Sequence, residues 1–334
     1  MEAIAQAPDT LREAIIWFAD FDHCREFMMS LRWPDGVVKC PRCGSDHVFY
    51  IQKERVWKCY GKHSMAKFSL KTGTVLEDSP IGLEKWLPAA WLILCCKNGI
   101  SSYELHRGLG VTQKTAWFML HRLRLGMQDG GIINKIGGEG AHVEVDESFI
   151  GAKARNMHAD VKARRLQGRK GGTQGKAIVA AVLERGGKVR AKVVDRRKKK
   201  DLQTFVRQHV EPKSALYSDA LKSYDGLDGE FVHQVIDHAV AYVDGAVHTN
   251  NCENFWSLLK RSINGTYVSV EPYHLFRYVD EQAWRYNHRN DADGEPLNDA
   301  QRFVIGMKQI VGKRLTFAEL TGKVPNEQSA MRPA

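Results

Sequence analysis

Three acidic residues stand at positions where a fold could bring their carboxylates together. Asp146 lies at the far end of the alternating segment 142–147, and Asp219 ends a short apolar run. Glu253 lies near the start of a helical pattern over residues 250–260. Carboxylates are the hard ligands that Mg²⁺ prefers, and a pair of such ions stabilises both oxygens of a displacement at phosphorus. The pattern predicts a metal-dependent phosphoryl-transfer enzyme in which Asp146 bridges two Mg²⁺ or Mn²⁺ ions, while Asp219 and Glu253 hold one each.

Each of these residues taken alone has a simpler interpretation. A strand-end aspartate can form a turn, and a glutamate on a helix can belong to a solvated face. Lys260 follows Glu253 by two helical turns, so the two share a face, and Lys260 is predicted to contact a phosphate near the metal ions. The other carboxylates in this region fit the strand-end and helix positions less well; they are Glu147, Asp225, Asp237 and Asp244.

A second ligand set lies near the N-terminus. Cys40 and Cys43 form a Cys-x-x-Cys pair, and a short hairpin separates them from Cys59 and His63. Thiolates and imidazole suit tetrahedral Zn²⁺, so these residues are predicted to hold one structural zinc ion in a zinc ribbon. The second pair departs from Cys-x-x-Cys, and the alternative is a set of free buried cysteines beside a surface histidine.

A helix-turn-helix region is predicted after the ribbon. Two helical patterns flank a glycine-containing turn at residues 108–111, with Ser101 or Ser102 and Thr112 as N-caps. Gln113 and Lys114 at the start of the second helix would face DNA. An ordinary helical hairpin is the alternative interpretation.

The elements that must position the acidic residues follow a glycine-rich joint at residues 137–140. Strands are predicted over 142–149, 176–183 and 188–194, the last two joined by a Gly-Gly hairpin. A helix, the strand ending at Asp219, a fifth strand over 231–236 and a helix carrying Glu253 follow. This order is typical of a ribonuclease H-like α/β fold.

Charge and composition indicate which class of partner the protein binds. The 334 residues carry a net charge of +10, which favours a polyanion such as DNA. Basic stretches interrupt the strand order, and their predicted DNA-contacting residues are Arg155, Arg164, Arg165, Arg197 and Lys198. Solvated loops are the alternative for both stretches. No apolar run is long enough for a membrane span, and no export signal is seen, so a cytoplasmic protein with reduced cysteines is expected.

The chain resembles insertion-sequence transposases of the IS1595 (ISXO2-like) family from about Cys40 to Asn290. The resemblance is carried by residues 40–44, 68–74, 144–151 and 248–261, which read CPRCG, FSLKTGT, EVDESFIG and HTNNCENFWSLLKR. It implies a ribonuclease H-like DDE domain behind a zinc ribbon, with Asp146, Asp219 and Glu253 as the triad and Lys260 as the basic residue that follows. Some members have Asn or another residue in the third acidic position, which leaves open whether Asn250 or Asn251 shares this role with Glu253.

The same resemblance implies cleavage at the terminal inverted repeats of an element and joining of the freed 3′-hydroxyls to target DNA. A homo-oligomer is expected, because two DNA ends require two active sites, and Arg261 in the last motif is expected to contact DNA. The expected divisions are an N-terminal helical segment, zinc ribbon, helix-turn-helix region, catalytic domain and loosely packed tail, at residues 1–36, 37–78, 79–136, 137–290 and 291–334. The alternatives are a structure-selective nuclease on the same fold and a zinc-ribbon regulator with an inert catalytic domain.

Overall fold

The computed structural model describes residues 7–128, 135–151, 158–166, 173, 175–219, 222–236 and 248–323. These residues form two compact units. The N-terminal unit comprises the described residues up to 128 together with 288–323, and the central unit comprises those between 135 and 287. Within the described ranges, no helix is both long enough and apolar enough to cross a membrane.

The N-terminal unit begins with short helices and a small antiparallel sheet. Its first elements are α1 (Leu11–Trp17), α2 (Phe21–Arg32), β1 (Val48–Ile51), β2 (Val56–Cys59) and β3 (Lys67–Phe68). Tyr50, Trp57 and Phe68 are partners across the three strands, and their rings stack on one face of the sheet. Trp33 packs edge-on against Trp57. This aromatic layer gives the small sheet a core.

The third strand is shorter than the sequence pattern indicated. The residues 68–75 have a composition that favours a strand, but the pairing ends at the first of these and a turn follows. In the turn, Thr72 Oγ1 accepts a hydrogen bond from the Ser69 amide, and Thr74 Oγ1 donates one to the Lys71 carbonyl. Such local side-chain bonds compete with a strand ladder, which explains the early end.

Three further helices complete the first part of this unit; they are α3 (Leu83–Cys95), α4 (Ser102–Leu109) and α5 (Gln113–Met127). Ser101 and Thr112 cap the last two helices, as predicted. Gly110 ends α4 in the left-handed region with a φ of +59°, which lets the chain reverse before α5 begins. Residues 119–127 of α5 are buried all round, so its exposed side chains belong to the first turns.

The central unit is built on a five-stranded sheet with the order β10-β9-β5-β6-β7. β5, β9 and β10 run parallel, and β5, β6 and β7 form an antiparallel meander. In chain order the elements of this unit are β4 (Ile136–Gly137), β5 (His142–Ile150), α6 (Ala159–Leu166), β6 (Ala177–Glu184), β7 (Val189–Val194), α7 (Lys199–His209), β8 (Val210–Glu211), β9 (Ala215–Asp219), β10 (Val232–Ile236), α8 (Asn250–Arg261) and α9 (Leu275–Asn287). The predicted strands and helices are confirmed to within a few residues. The small β4–β8 pair and α6, which lies inside the first basic stretch, were not predicted.

A hydrophobic core lies on each face of the sheet. The core on the side of α8 and α9 includes Val179, Ala181, Cys252, Phe255, Leu259 and Val279. The core on the side of α7 includes Val143, Val145, Val182, Phe205, Val206 and Leu216. Successive strand residues point to opposite faces, so Glu144 and Asp146 of β5 face α8 while Glu147 faces the other side. This alternation sets up the site described below.

The C-terminal residues of the N-terminal unit contain α10 (Asp299–Lys308) and α11 (Phe317–Leu320). The expectation of a loosely packed tail is wrong for α10, since Phe303 is fully buried and its ring lies 5.2 Å from that of Phe27 and 5.1 Å from that of Trp91. A Cβ at Gly306 would lie 2.4 Å from Leu94 of α3, so glycine permits the close approach of the two helices. Residues 326–334, expected to be disordered, lie outside the described residues.

Candidate active site and metal centre

Asp146 and Asp219 lie next to each other on neighbouring parallel strands. The register of β5 and β9 pairs Val145 with Ser218, so the two aspartates are the next residues along each strand. Asp219 is the last residue of β9. Parallel strands run to the same edge of the sheet, where ligand sites of α/β folds form. The structure therefore brings together the first two acidic residues that the sequence singled out.

The Asp146 carboxylate is largely buried and held by hydrogen bonds at both oxygens. Oδ1 accepts a bond of 2.8 Å from the Glu147 amide, and Oδ2 accepts one of 2.8 Å from the indole Nε1 of Trp256. Burial raises the pKa of Asp146 to about 7; the charges of Glu147 and Asp219 also raise it, whereas the Trp256 bond lowers it. A nearby cation would stabilise the ionised form of this carboxylate, which is surrounded by other carboxylates.

Glu253 and Lys260 line the same open cleft as Asp146. The cleft has a volume of about 450 Å³, and α8 forms one wall with residues 253, 256, 257 and 260. These positions follow the i, i+3, i+4, i+7 spacing of a single helix face. Both Glu253 and Lys260 are exposed. The prediction that Glu253 and Lys260 share one face of the helix is confirmed.

Glu147, the carboxylate next to Asp146, has separate partners on the other face of the sheet. Its Oε2 accepts a 2.7 Å bond from the Tyr224 hydroxyl, and its Oε1 is paired with Nε of Arg197. Arg197 also lies 3.8 Å from the Asp219 carboxylate. Arg197, predicted to contact DNA, thus links two carboxylates at the edge of the site. Burial raises the pKa of Glu147.

Asp146 interacts with one of the other two predicted metal-binding carboxylates and shares a cleft with the other. The charge of Asp219 raises the pKa of Asp146, and Glu253 lines the same cleft as Asp146.

Glu144 is a buried residue beside the site that the sequence reasoning missed. Its fully buried carboxylate accepts bonds from the backbone amides of Asn251 and Cys252 in the first turn of α8 and is paired with Arg185, and His248 Nδ1 lies 3.2 Å away. The Asn251 side-chain amide also donates to Glu144 at 2.8 Å. The alternation of 142–147, which puts Glu144 on the face of Asp146, was a signal that could have found it.

The zinc ligands converge as predicted. One ligand atom each from Cys40, Cys43, Cys59 and His63 lies within 4.8 Å of the others. The Cys43 and Cys59 sulfurs are 3.5 Å apart, and so are the Cys40 sulfur and Nε2 of His63. Tetrahedral zinc with Zn–S bonds of about 2.3 Å places ligand atoms roughly 3.8 Å apart, so the set fits the ion. A Cβ at Gly61 would lie 2.9 Å from the Cys43 sulfur, so glycine lets the chain pass close to the cluster.

The predicted DNA-contacting residues fall in several places. On α5, Lys114 is exposed with its ammonium 4.8 Å from the Phe317 ring centre, and the Gln113 amide donates to the Ser102 hydroxyl. In the central unit, Lys198 and Arg261 are exposed. Arg155 lies outside the described residues, as do the side chains of Arg164 and Arg165.

Two protein families match this chain. The family described as "ISXO2-like transposase domain" of IS1595 matches residues 136–287, and the "transposase zinc-ribbon domain" matches residues 20–61. The first match covers the sheet, α8 and α9. The second covers the three cysteines of the zinc cluster and ends two residues before His63.

Relatives carry names of the same kind. A protein of Halobacterium salinarum called "Uncharacterized protein in transposable element ISH50" is 28% identical over 247 residues, which cover 70% of this chain and 80% of the relative. A Haemophilus influenzae protein called "Uncharacterized transposase-like protein" is 33% identical over 88 residues, 26% of this chain and 71% of the relative. The chain belongs to the IS1595 (ISXO2-like) family of insertion-sequence transposases.

Proposed function

We propose that this protein is a DDE-type DNA transposase. It binds the terminal inverted repeats of its insertion sequence, cleaves to free 3′-hydroxyls and joins them to target DNA. The observation that carries this proposal is the position of Asp146. Its buried carboxylate is next in register to Asp219 and lines one cleft with Glu253 and Lys260.

The strand order supports a ribonuclease H-like catalytic domain. An antiparallel meander of β5, β6 and β7 is extended by the parallel strands β9 and β10, with helices on both faces. This is the order expected of that fold from the sequence. In it, Asp146 belongs to the central strand and Asp219 to its parallel neighbour, with Glu253 on a helix that packs on the sheet.

Asp146, Asp219 and Glu253 would hold two Mg²⁺ or Mn²⁺ ions, because carboxylate oxygens are the ligands that these ions prefer. Bound ions would supply charge stabilisation for the attacking and leaving oxygens of the phosphodiester.

Residues around the cleft orient the groups that would take part in the reaction. Trp256 and the Glu147 amide hold the Asp146 carboxylate in one orientation. Lys260, two turns after Glu253 on the same face of α8, contacts a phosphate at the mouth of the cleft. Arg197 fixes Glu147 and neutralises part of the acidic charge beside Asp219.

DNA recognition is assigned to the N-terminal unit and the basic residues of the central unit. α4 and α5 act as a helix-turn-helix in which the exposed first turn of α5, with Gln113 and Lys114, faces DNA. Lys198 and Arg261 contribute phosphate contacts, as do Arg155, Arg164 and Arg165. One structural Zn²⁺ ion holds the ribbon, and a homo-oligomer brings two DNA ends together.

The experiment that tests this function uses DNA carrying one end of the element. In the presence of Mg²⁺, the wild-type protein is expected to cleave at the end and to join a precut end to target DNA. Asp146→Asn should lose both reactions while retaining end binding in a gel-shift assay. Cleavage by Asp146→Asn at the wild-type rate, or wild-type cleavage without divalent metal, would contradict the mechanism.

Two experimental results distinguish this function from the two alternative functions. A structure-selective nuclease would cut branched or hybrid substrates without joining a precut end. A DNA-binding regulator with an inert catalytic domain would show no thermal stabilisation by Mg²⁺. The transposase should be stabilised by Mg²⁺, and Asp219→Ala should abolish that stabilisation.

A further inference from the structure

A buried glutamate lies in the middle of β5, two residues before Asp146. The Glu144 side chain is fully buried. It points to the same face of the sheet as Asp146, because residues two apart on a strand share a face. A buried carboxylate costs several kcal/mol unless it is paired and hydrogen-bonded. The groups that bind the Glu144 carboxylate therefore indicate which role this buried charge has.

Those partners converge on the beginning of α8. Oε2 of Glu144 accepts bonds from the backbone amides of Asn251 at 2.9 Å and Cys252 at 3.1 Å. Oε1 accepts from the Asn251 side chain and from Nε of Arg185, both at 2.8 Å, and His248 Nδ1 lies 3.2 Å away. Arg185 in turn donates to the His248 carbonyl at 2.8 Å. The two backbone amides, the Asn251 side chain and Arg185 are donors to Glu144, whereas His248 Nδ1 accepts a bond of 3.0 Å from Nη2 of Arg185.

Glu144 supplies an acceptor for the first backbone amides of α8, a role that an N-cap side chain often has. The N-cap residue of α8 is Thr249, whose side chain makes no capping hydrogen bond. The first amides of a helix have no partner within the helix, and a carboxylate there also complements the helix dipole. Glu144 takes this role from a neighbouring strand. Glu144 thus binds the start of α8 to β5.

The helix is fixed to β5 a second time, one turn further on. Trp256 donates from its indole to Asp146, so Glu144 and Asp146 hold α8 at its first and second turns. Glu253 lies between these attachments, directly after Cys252. The height and rotation of Glu253 above Asp146 thus depend on both contacts, and Glu144 governs the one nearer to Glu253.

We infer that Glu144 is a positioning residue for the metal-binding site: by capping α8 from β5 it sets Glu253 at the distance from Asp146 that the second ion requires. The inference rests on the proposed function. Residues that orient metal ligands typically change metal affinity by 10- to 100-fold when they are replaced. Glu144 itself does not touch the metal ions or the DNA.

The test measures Mn²⁺ binding to the full-length, zinc-loaded protein by the electron paramagnetic resonance signal of free Mn²⁺. Glu144→Gln keeps the side-chain shape but introduces an amide donor among four donors. We expect two Mn²⁺ ions per wild-type chain, and in Glu144→Gln a dissociation constant at least tenfold higher for one of them.

The matched control is Glu281→Gln. Glu281 is also fully buried in the central unit and is paired with Arg285 and Tyr267, but it lies on α9. This variant should lose thermal stability while binding both Mn²⁺ ions as the wild type does. An equal loss of Mn²⁺ affinity in both variants, or affinities within twofold of wild type in Glu144→Gln, would overturn the inference.

A further variant decides the matter if Glu144→Gln does not fold. Arg185→Met removes one donor to Glu144 from a partly exposed side chain while keeping apolar contact with the Tyr217 ring. It should raise the dissociation constant of the same Mn²⁺ ion about threefold; an unchanged value would overturn the inference. A wild-type protein that binds no Mn²⁺ would instead refute the proposed function, and the inference with it.

Discussion

The indole of Trp256 donates a 2.8 Å hydrogen bond to Oδ2 of Asp146 across 110 residues of sequence. This bond joins the helix that carries Glu253 to the strand that carries Asp146. It also lowers the pKa of a carboxylate that burial raises to about 7. The contact therefore affects both the shape and the charge of the site.

Trp256→Phe is expected to shift the pH dependence of the protein. Phenylalanine keeps an aromatic ring against Phe255 but removes the donor, so the pKa of Asp146 should rise by roughly one further unit. Asp146 must be ionised to hold a metal ion, so Mn²⁺ binding and DNA cleavage should require a correspondingly higher pH. Both are measured from pH 5.5 to 9. Trp284→Phe, a buried tryptophan on α9, should leave the profile unchanged; a matching shift there would contradict the assignment.

Asp146→Asn is expected to stabilise the protein in the absence of divalent ions at pH 8. Because the folded-state pKa of Asp146 is raised from 3.8 to about 7, the ionised carboxylate costs roughly 4 kcal/mol above pH 7 and nothing below pH 4. Stability contributed by this group thus falls as pH rises from about 4 to 7. The asparagine amide cannot accept bonds from both Trp256 and the Glu147 amide, so we expect the variant to gain only about half of the 4 kcal/mol. That gain corresponds to an increase of roughly 5 °C in Tm.

That gain should disappear at pH 4, where the wild-type carboxyl is already neutral. Thermal unfolding followed by circular dichroism at both pH values measures it. Asp195→Asn, at an exposed aspartate of the same unit, should change Tm at neither pH. A stabilisation by Asp146→Asn that is equal at pH 4 and pH 8 would show that burial of charge is not its cause.

His63 is expected to be the fourth zinc ligand. Its Nε2 lies 3.5 Å from the Cys40 sulfur. His63→Ala should reduce the zinc content of the purified protein, whereas His63→Cys should retain one zinc ion because a thiolate restores a four-ligand set. Zinc is measured by atomic absorption. His47→Ala, at a ribbon histidine whose ring packs against Tyr60, should retain full zinc.

Lys260→Ala is expected to slow cleavage by 10- to 100-fold, because the cleft loses an exposed cation that meets the DNA backbone. If Lys260 neutralises one phosphate, the slope of log binding constant against log salt should become shallower by about one. Fluorescence anisotropy with end-containing DNA at several salt concentrations measures the slope. Lys188→Ala, an exposed lysine at the hairpin after β6, should cleave at the wild-type rate.

Local patterns in the sequence determined the elements and the residue types of both sites. Alternation over 142–147 placed Asp146 on a strand, helical spacing placed Glu253 and Lys260 on one face, and cysteine spacing identified the zinc cluster. These features depend on residues a few positions apart, whose relative placement follows from strand and helix periodicity.

Contacts between distant segments could be decided only by the tertiary structure. Glu144 meets the start of α8 across 107 residues, Trp256 meets Asp146 across 110, and Phe303 packs against Phe27 from the other end of the chain. No local pattern specifies such partners, because they depend on how the sheet and helices pack. The sequence alone therefore named the acidic residues, and packing decided which side chains hold them in place.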